Sequence, residues 1–237
     1  MTIEGLQRSD GLDDSTWDAL ETLGRALHVE DSDPQATLDA ILLAAKSSVE
    51  GTDFVGVNLT IGDRFEPQAV LGEPPTQLDA LQQRTGVGPC IDAAREQRVI
   101  RVDDVRDAPL WPQYSDLALS LGVQSMLCTP MQVDEVRLGS ISLYSCSPAA
   151  FGVHAERVAG LLGLHAAIAL SETRRRENLT LALHNRDVIG QAKGILMERH
   201  RITADAAFSL LSQASQRTNR KLAVIAEQVA STGVLDA

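Results

Sequence analysis

The helical organisation of the C-terminal part of the chain is decided by residues 186–222, which read R-D-V-I-G-Q-A-K-G-I-L-M-E-R-H-R-I-T-A-D-A-A-F-S-L-L-S-Q-A-S-Q-R-T-N-R-K-L. Apolar residues recur there at three- and four-residue spacing, which is the period of an α-helix. The pattern stops after His200 and again at Thr218 and Asn219. We therefore expect a helix, a short break, a second helix, another short break and the start of a third.

Thr203 marks the expected start of the second helix. Its hydroxyl suits an N-cap, and Asp205 places a negative charge in the first turn, where the helix dipole favours it. A core of modest size follows from three helices in about sixty residues. The residues assigned to this core are Ala192, Ile195, Leu196, Phe208, Leu211 and Ala214, with Leu222, Ile225, Ala226 and Val229 on the third helix.

The outer surface of these helices is polar and basic, and its cations are Lys193, Arg199, Arg201, Arg217, Arg220 and Lys221. The A-K-G-I-L-M core, the A-F-S-L-L segment and the N-R-K-L start of the third helix resemble the ANTAR domain, in the order that this family shows them. The resemblance covers residues 178–235. It implies a module that binds paired RNA hairpins and prevents transcription termination, whereas the spacing alone indicates only a basic three-helix module.

The charge of the chain is divided unevenly along its length. The net charge is −11, but residues 1–171 carry 11 basic against 25 acidic side chains, a net −14, and residues 172–237 carry 10 against 7, a net +3. A basic surface is what holding phosphates requires, so the C-terminal part is the candidate for nucleic-acid binding. Because +3 is modest, a dimer or specific recognition of loop nucleotides would have to supply the rest of the affinity.

Features of secreted and membrane proteins are missing from the sequence. The first ten residues lack the basic and then apolar pattern of a signal peptide, and the apolar run from Val158 to Leu170 is too short to span a bilayer. The three cysteines are odd in number and unclustered, which argues against a disulfide framework or a zinc site. We therefore expect a cytoplasmic protein with no membrane contact and no metal.

The middle of the chain alternates between strand and helix patterns. A helical stripe over Trp17 to Leu27 and a helix from Asp33-Pro34 to Gly51 precede strands at 54–60 and 65–71. Short helices are expected near 78–81, 90–97 and 113–121, a strand at 99–102, and two longer strands at 123–133 and 138–146. From His154 the pattern is helical again. This order predicts an α+β fold, an antiparallel sheet with helices on one side.

Several segments of this region together resemble a GAF domain over about residues 34–171. They are G-V-G-P-C, V-I-R-V-D-D, the W-P at 111–112, G-V-Q-S-M-L-C-T-P-M and L-G-S-I-S-L-Y-S. The combined fold expectation is a GAF-like antiparallel sheet with flanking helices, then a helical linker and a C-terminal three-helix ANTAR-like bundle. The expected domains are a flexible lead-in over 1–16, a GAF-like sensor over 17–171, and the linker with the ANTAR-like domain over 172–235. GAF followed by ANTAR is a familiar pairing in actinobacterial regulators.

A seam of three- and four-residue steps runs between the two modules. Its members are Val158, Leu161, His165, Ile168, Glu172, Arg175, Leu179 and Ala182. This spacing is that of a coiled coil, although Glu172 and Arg175 interrupt it. The alternative is a helix that packs on its own GAF sheet as far as Leu170 and continues as a solvated linker. Because family members commonly dimerise, we favour a homodimer through the 154–186 helix and the ANTAR module.

The candidate RNA-binding residues are Gln191, Lys193, Gly194, Arg199, Arg217, Thr218, Asn219, Arg220 and Lys221. Specific RNA readers contact the edges of unstacked loop bases with amide and guanidinium groups and the backbone with Lys or Arg. The alternative for the cations is an ordinary solvated helix face. For Gly194 the alternatives are tight helix packing and close approach of RNA to the backbone.

The GAF-like pocket carries no residue that selects one ligand. The resemblance implies a small-molecule ligand, whose identity the sequence leaves unknown. A haem would require a histidine in the pocket, but the two histidines of this region, His154 and His165, both lie on its terminal helix. The simplest interpretation of Cys90, Cys128 and Cys146 is that they are small buried apolar groups.

Two other functions compete with RNA binding. Some GAF-fold proteins are thiol-based reductases of free methionine sulfoxide, in which case Cys90 and Cys128 would be nucleophile and resolving thiol. A DNA-binding helix-turn-helix tail would instead place basic side chains along the second helix, but residues 208–216 contain none and the cations gather at the junction between the second and third helices. We therefore expect a non-enzymatic RNA-binding antitermination regulator.

Overall fold

A computed structural model describes residues 34–62 and 64–235, together with Gly24. The expected lead-in and the stripe from Trp17 to Leu27 lie outside these residues, except for Gly24, which is helical. The chain divides into two compact units with the boundary between Thr173 and Arg174.

The first unit contains a five-stranded antiparallel sheet and its flanking helices. Its elements in chain order are α1 (Pro34–Ser48), β1 (Phe54–Ile61), β2 (Arg64–Leu71), α2 (Pro74–Thr85), α3 (Pro89–Glu96), β3 (Ile100–Val102), a 3₁₀ turn (Val105–Asp107), α4 (Pro112–Ser120), β4 (Ser125–Val133), β5 (Val136–Ser145) and the first part of α5 (Val153–His200). These bounds agree with the patterns in the sequence to within a few residues.

The strand order in the sheet is β2-β1-β5-β4-β3, so β2 and β3 form its two edges. β4 and β5 form a hairpin, in which Leu127 lies opposite Leu143. The β1–β2 pairing shifts register between Val57 and Asn58, next to Pro67 on the edge strand. Proline is tolerated at such a place because an edge strand leaves one side of its backbone unpaired.

Helices cover both faces of the sheet, so the prediction that they lie on one side was wrong. α1 and α5 pack on the face that carries Val57, Ile141 and Leu143. The opposite face, which carries Cys128 and Tyr144, packs against α2, α3 and α4. The reason is visible in β1 and β5, which contain five and eight consecutive buried residues, so both sides of these strands are covered, as a position between two helical layers requires.

The second unit is a small bundle made by the end of α5, α6 (Ala204–Thr218) and α7 (Leu222–Thr232). Thr203 caps α6 as predicted, since its hydroxyl accepts a hydrogen bond from the Ala206 amide at 3.3 Å. The buried residues of this unit are Val188, Ala192, Leu196, Ala207, Leu211, Ala214, Ile225, Ala226 and Val229. Ile195 and Leu222 are partly buried against them.

Phe208 does not belong to this core, and the prediction that it would was wrong. Its side chain is 42% exposed, whereas its neighbour Ala207 is fully buried. The buried face of α6 consists of Ala207, Leu211 and Ala214, which are spaced by four and three residues. Phe208 lies about 100° around the helix from Ala207, at the margin of that face.

The first part of α5 packs on its own sheet through residues that include Val158, Leu162, Ala166 and Leu170. Val158 is therefore a core residue of the first unit rather than a member of an exposed seam. Ile168 and Leu179 from the same seam are 47% and 57% exposed. Within the described residues α5 is the one helix with the length and hydropathy of a membrane span, which is weak evidence for one because 44% of its most apolar window is buried in the protein.

Candidate functional sites

The corner between α6 and α7 carries five consecutive candidate residues, from Arg217 to Lys221, and all of them are exposed. Asn219 ends α6 in the left-handed conformation with φ of 52°. This conformation suits asparagine better than most other residues, so the residue type at this position has a backbone reason. Lys221 then occupies the N-cap position of α7.

Hydrogen bonds hold the backbone of this corner in place. The Arg220 amide donates to the Ser215 carbonyl at 3.2 Å, and the Ser215 hydroxyl donates to the Arg220 carbonyl at 2.6 Å. The Thr218 hydroxyl donates to the Ala214 carbonyl at 2.7 Å, which anchors this side chain on its own helix. The side chains of the corner therefore extend from a backbone that hydrogen bonds hold in one conformation.

The cations of the corner differ in what they contact. The Arg220 guanidinium donates to the side-chain oxygen of Gln228 at 2.9 Å. Arg217 and Lys221 make no side-chain hydrogen bond or ion pair within the described part of the chain. Two cations without an acidic partner on a fixed corner are available to an anionic ligand.

Three candidates lie on α5 and are arranged differently. Gln191 and Gly194 are exposed, and Lys193 is half-buried with its ammonium nitrogen 6.0 Å from the centre of the Phe208 ring. A Cβ atom added to Gly194 would meet nothing within 4 Å, and the same holds for Gly190. Tight packing inside this unit therefore does not account for either glycine.

Arg199 has a structural contact of its own. Its guanidinium donates a hydrogen bond to the carbonyl of Gly233, the residue that ends α7 in the left-handed conformation. Carbonyl groups at the end of a helix lack partners within the helix and attract cations. This contact ties the end of α5 to the end of α7.

Phe208 is the residue of this surface that sequence reasoning missed. The sequence does contain the four- and three-residue spacing of Ala207, Leu211 and Ala214, and this spacing places Phe208 off the core face. However, a large apolar side chain in an amphipathic helix is usually buried, and this favours the core assignment.

The second candidate site is a group of buried polar side chains under α2 and α3. Asp79 is fully buried, and its Oδ1 atom accepts hydrogen bonds from the Tyr144 hydroxyl at 3.3 Å and from the Gln82 amide at 3.4 Å. Its Oδ2 atom has no hydrogen-bond partner among the described residues. Burial raises the pKa of Asp79 to about 7, although the hydrogen bonds oppose this shift.

Cys90 and Cys128 meet in the same interior. Their sulfur atoms are 3.3 Å apart as free thiols, and the Ser142 hydroxyl lies 2.7 Å from the Cys90 sulfur. Both residues are fully buried, as predicted, and burial raises the pKa of the Cys128 thiol well above its usual value. The raised pKa keeps the Cys128 thiol protonated, and full burial leaves neither sulfur atom accessible to a substrate, so this geometry does not favour the reductase alternative.

Cys146 is exposed, so the prediction that all three cysteines are buried was wrong for this residue. It follows the end of β5, and its amide donates to the Asp53 carboxylate at 2.7 Å. That hydrogen bond is the largest cause that lowers the pKa of Asp53. Within the described residues, no group of three or more histidine, cysteine or acidic side chains is placed to hold a metal ion.

A surface cavity of about 240 Å³ lies on the α2 and α4 side of the first unit. Its lining is largely apolar and includes Leu81, Val87, Trp111 and Tyr114. Tyr114 is buried, and its ring belongs to the same cluster as Cys90 and Tyr144. The cavity and the buried polar group are therefore adjacent parts of one side of the domain.

Comparison with protein families matches both units. The family model of the GAF domain matches residues 31–171, and that of the ANTAR domain matches residues 177–229. The chain belongs to the GAF family, with an ANTAR domain following. The pairing supports a regulator in which a GAF domain controls an ANTAR domain, and because ANTAR domains are RNA-binding modules it also supports RNA as a partner.

Solved structures show the same fold for the GAF domain. The chain resembles the GAF domain of a phosphoenolpyruvate-protein phosphotransferase from Acinetobacter, with 12% identity and a TM-score of 0.55 over 70% of this chain and 99% of that one. It also resembles a free methionine-R-sulfoxide reductase from Neisseria meningitidis, with 20% identity and a TM-score of 0.54 over 73% and 98% of the two chains. No curated protein sequence matches this chain.

A photosensory core module of the Stigmatella aurantiaca phytochrome matches a longer part of the chain. It covers 85% of this chain and 44% of its own, with 11% identity and a TM-score of 0.59. At these identities the likeness concerns the fold alone, because a fold of this kind supports many unrelated activities. The GAF–ANTAR pairing, and not a structural neighbour, therefore directs the functional conclusion.

Proposed function

We propose that this chain is a cytoplasmic transcription antitermination regulator that binds two short hairpins in a nascent RNA through its ANTAR domain. The observation that carries the proposal is the exposed corner from Arg217 to Lys221, whose backbone is held by hydrogen bonds and whose Arg217 and Lys221 have no acidic partner among the described residues. In this proposal Arg217 and Lys221 hold phosphates, while Asn219 contacts the edges of unpaired bases.

The remaining α5 candidates extend this surface. Gln191 offers an exposed amide, Lys193 an ammonium group, and Gly194 open space beside the backbone. Arg199 acts by holding the end of α7 through Gly233, so that it orients the helix whose start forms the corner.

Dimerisation supplies the second RNA contact. The modest positive charge of one ANTAR domain limits how tightly one copy can hold RNA, because affinity grows with the number of phosphates that the protein neutralises. Two copies joined through the 154–186 helix would hold two hairpins together, and the second contact would then form at a high effective concentration. The paired hairpins are thereby stabilised against a competing terminator.

The GAF domain, over residues 17–171 in this proposal, would act as the sensor. A small molecule bound on its α2 and α4 side, near the cavity at Trp111 and Tyr114, would have to favour one arrangement of the ANTAR domains over another. Mass spectrometry of the native protein would detect a retained one.

Replacement of both Arg217 and Lys221 with alanine tests the proposal. We expect the double variant to bind a twin-hairpin RNA more weakly and to lower the slope of log K against log salt by roughly 2, about one for each phosphate that the variant no longer neutralises. Fluorescence anisotropy at several salt concentrations measures both quantities.

The matched control is the double variant Arg95→Ala with Arg98→Ala, which removes two exposed cations from the GAF domain. It should bind RNA like the natural protein, and both variants should keep the same helical circular dichroism. Equal RNA affinity in all three proteins, or no affinity of the natural protein for hairpin RNA at low salt, would contradict the proposed function.

A further inference from the structure

Phe208 is the one aromatic residue in the sequence from 174 to 237, and the proposed function leaves its exposed ring without a role. Burial of a phenylalanine side chain contributes about 1.5–3 kcal/mol to stability, so an amphipathic helix normally turns it inward. Here the ring is 42% exposed, and the core beneath it is already filled by Ala207 and Leu211, both with no exposed surface. The packing of this unit therefore does not account for an aromatic residue at this position.

The surroundings of the ring indicate what would cover it. The ammonium nitrogen of Lys193 lies 6.0 Å from the ring centre, at the outer limit of a cation–π contact. Lys193 is half-buried, so its side chain packs partly against the protein while its ammonium group lies near the ring. An aromatic face with a cation close to it matches a nucleotide, which joins a flat base to a phosphate.

The helix that carries Lys193 leaves room for such a ligand. Gly190 and Gly194 precede and follow Lys193 on α5, and both are exposed with nothing within 4 Å of a would-be Cβ atom. Glycine in the interior of a helix costs about 1 kcal/mol relative to alanine, and here no packing within the unit offsets that cost. Lys193 therefore lies between the glycine backbone of α5 and the Phe208 ring. Together they form a shallow surface that a base can approach.

We propose that the Phe208 ring is a stacking platform for one unpaired base of the RNA hairpin, with Lys193 holding a phosphate next to that base. The inference rests on the proposed RNA-binding function and adds a second contact to the corner at Arg217 and Lys221. Phe208 and Arg217 are nine positions apart on α6, about 14 Å along the helix axis, so the two contacts engage different nucleotides. Stacking accepts any base because every base has a π-face.

The alternative occupant of this surface is a second copy of the chain. A symmetric contact through Phe208 would bring the Lys193 ammonium groups of two copies close to the same apolar surface, where like charges repel. A phosphate neutralises that charge, so RNA is the occupant that the charge distribution favours. The second copy remains a distinct outcome of the test.

The test compares Phe208→Leu, which removes the ring and keeps an apolar side chain, with Phe208→Trp, which keeps a stacking surface. The full-length protein is titrated into hairpin RNA that carries the fluorescent base 2-aminopurine at one unpaired loop position at a time. We expect Phe208→Leu to weaken binding by about 5- to 150-fold, the range for loss of one stacked base. Phe208→Trp should bind within about threefold of the natural protein, and quenching at one loop position should disappear only in Phe208→Leu.

Salt dependence separates the ring from its cation. Phe208→Leu should leave the slope of log K against log salt unchanged, whereas Lys193→Gln should lower it by about one. Val224→Ala is the matched control, because Val224 is a 38% exposed apolar residue on α7, away from Lys193 in sequence and on a different helix. It should leave both affinity and slope as they are.

Three results would overturn the inference while sparing the proposed function: unchanged affinity of Phe208→Leu, equal weakening in Phe208→Trp and Phe208→Leu, or a change from dimer to monomer in Phe208→Leu by analytical ultracentrifugation. The last of these would assign the ring to a contact between copies. If the natural protein binds no hairpin RNA, the proposed function itself fails and the platform fails with it.

Discussion

At the scale of single residues, Asp79 is a group whose ionisation the fold alters strongly. Its carboxyl group is fully buried, with one oxygen that lacks a hydrogen-bond partner among the described residues. A charged carboxylate in such a place is costly, so the folded protein holds the proton to about pH 7. The unfolded chain releases the same proton near the ordinary value of 3.8.

This difference predicts how stability depends on pH. Between about pH 4 and pH 7 the folded state binds a proton that the unfolded state has lost, so the free energy of unfolding falls as the pH rises through this window. With a folded pKa of about 7, the loss between pH 5 and pH 8 is roughly 2–3 kcal/mol. Asp79→Asn cannot titrate and should lack this component, which urea unfolding at the two pH values measures.

The quantity to compare is the difference between the natural protein and the variant, because every other ionisable group is common to both. Asp53 and Asp104 do not interfere, because their pKa values are lowered and their contributions change below pH 4. An identical loss of stability from pH 5 to pH 8 in Asp79→Asn would show that this carboxyl group is not held protonated by the fold.

At the scale of secondary-structure elements, the start of α6 depends on one hydroxyl group. Thr203 accepts a hydrogen bond from the Ala206 amide and thereby satisfies a backbone donor at the helix terminus. We expect Thr203→Ala to lower the free energy of unfolding of the ANTAR unit by about 1 kcal/mol. Urea unfolding followed by helical circular dichroism measures this change.

Thr180→Ala provides the matched control for this prediction. Thr180 is exposed in the interior of α5, where alanine has the higher helix propensity, so this substitution should be neutral or slightly stabilising. Equal effects of the two substitutions on the free energy of unfolding would mean that the Thr203 cap does not stabilise the ANTAR unit.

The elements themselves could be predicted well from the sequence, and their arrangement less well. Pro34, Pro74, Pro89 and Pro112 each stand at the first position of a helix, and the breaks at Arg201 and Asn219 fall where the periodicity stops. These signals depend only on residues that are close together in the sequence, so they can be recognised without the structure. The placement of helices on both faces of the sheet depends on long-range packing, and the buried strands β1 and β5 show it only as nearly continuous burial.

The candidate site was predictable to a similar extent. The corner from Arg217 to Lys221 follows from a helix boundary with clustered cations, which the sequence displays. The spacing of Ala207, Leu211 and Ala214 indicates that Phe208 lies off the core face, but its residue type favours a buried position. The hydrogen bond from Arg199 to Gly233 depends on how three helices pack, and the sequence carries no signal for it. The polar interior around Asp79 joins α2 to β5, residues 65 apart in sequence, and a single sequence does not reveal that meeting.

At the scale of the whole molecule, α5 carries exposed apolar side chains on both sides of the boundary between the two units. Ile168 lies in the GAF unit and Leu179 in the ANTAR unit, and they belong to one series of three- and four-residue steps. In a coiled coil, apolar side chains in such a series are buried against the helix of the partner chain.

We therefore expect the double variant Ile168→Glu with Leu179→Glu to be monomeric at concentrations where the natural protein is a dimer. Leu181→Glu is the control, because Leu181 is as exposed as Leu179 but lies about 200° around the helix from it. Sedimentation equilibrium distinguishes these species. A monomeric natural protein at tens of micromolar, or a dimeric double variant, would contradict dimerisation through this seam.

The two margins of the sheet have a consequence for how the molecule behaves when crowded. β3 is only three residues long, and β2 carries Pro67 next to the irregular pairing with β1. An incoming strand needs a long, regular row of free amide and carbonyl groups, and neither margin offers one. The GAF sheet is thus a poor seed for fibrils, so concentrated samples should self-associate through helices and remain free of cross-β material.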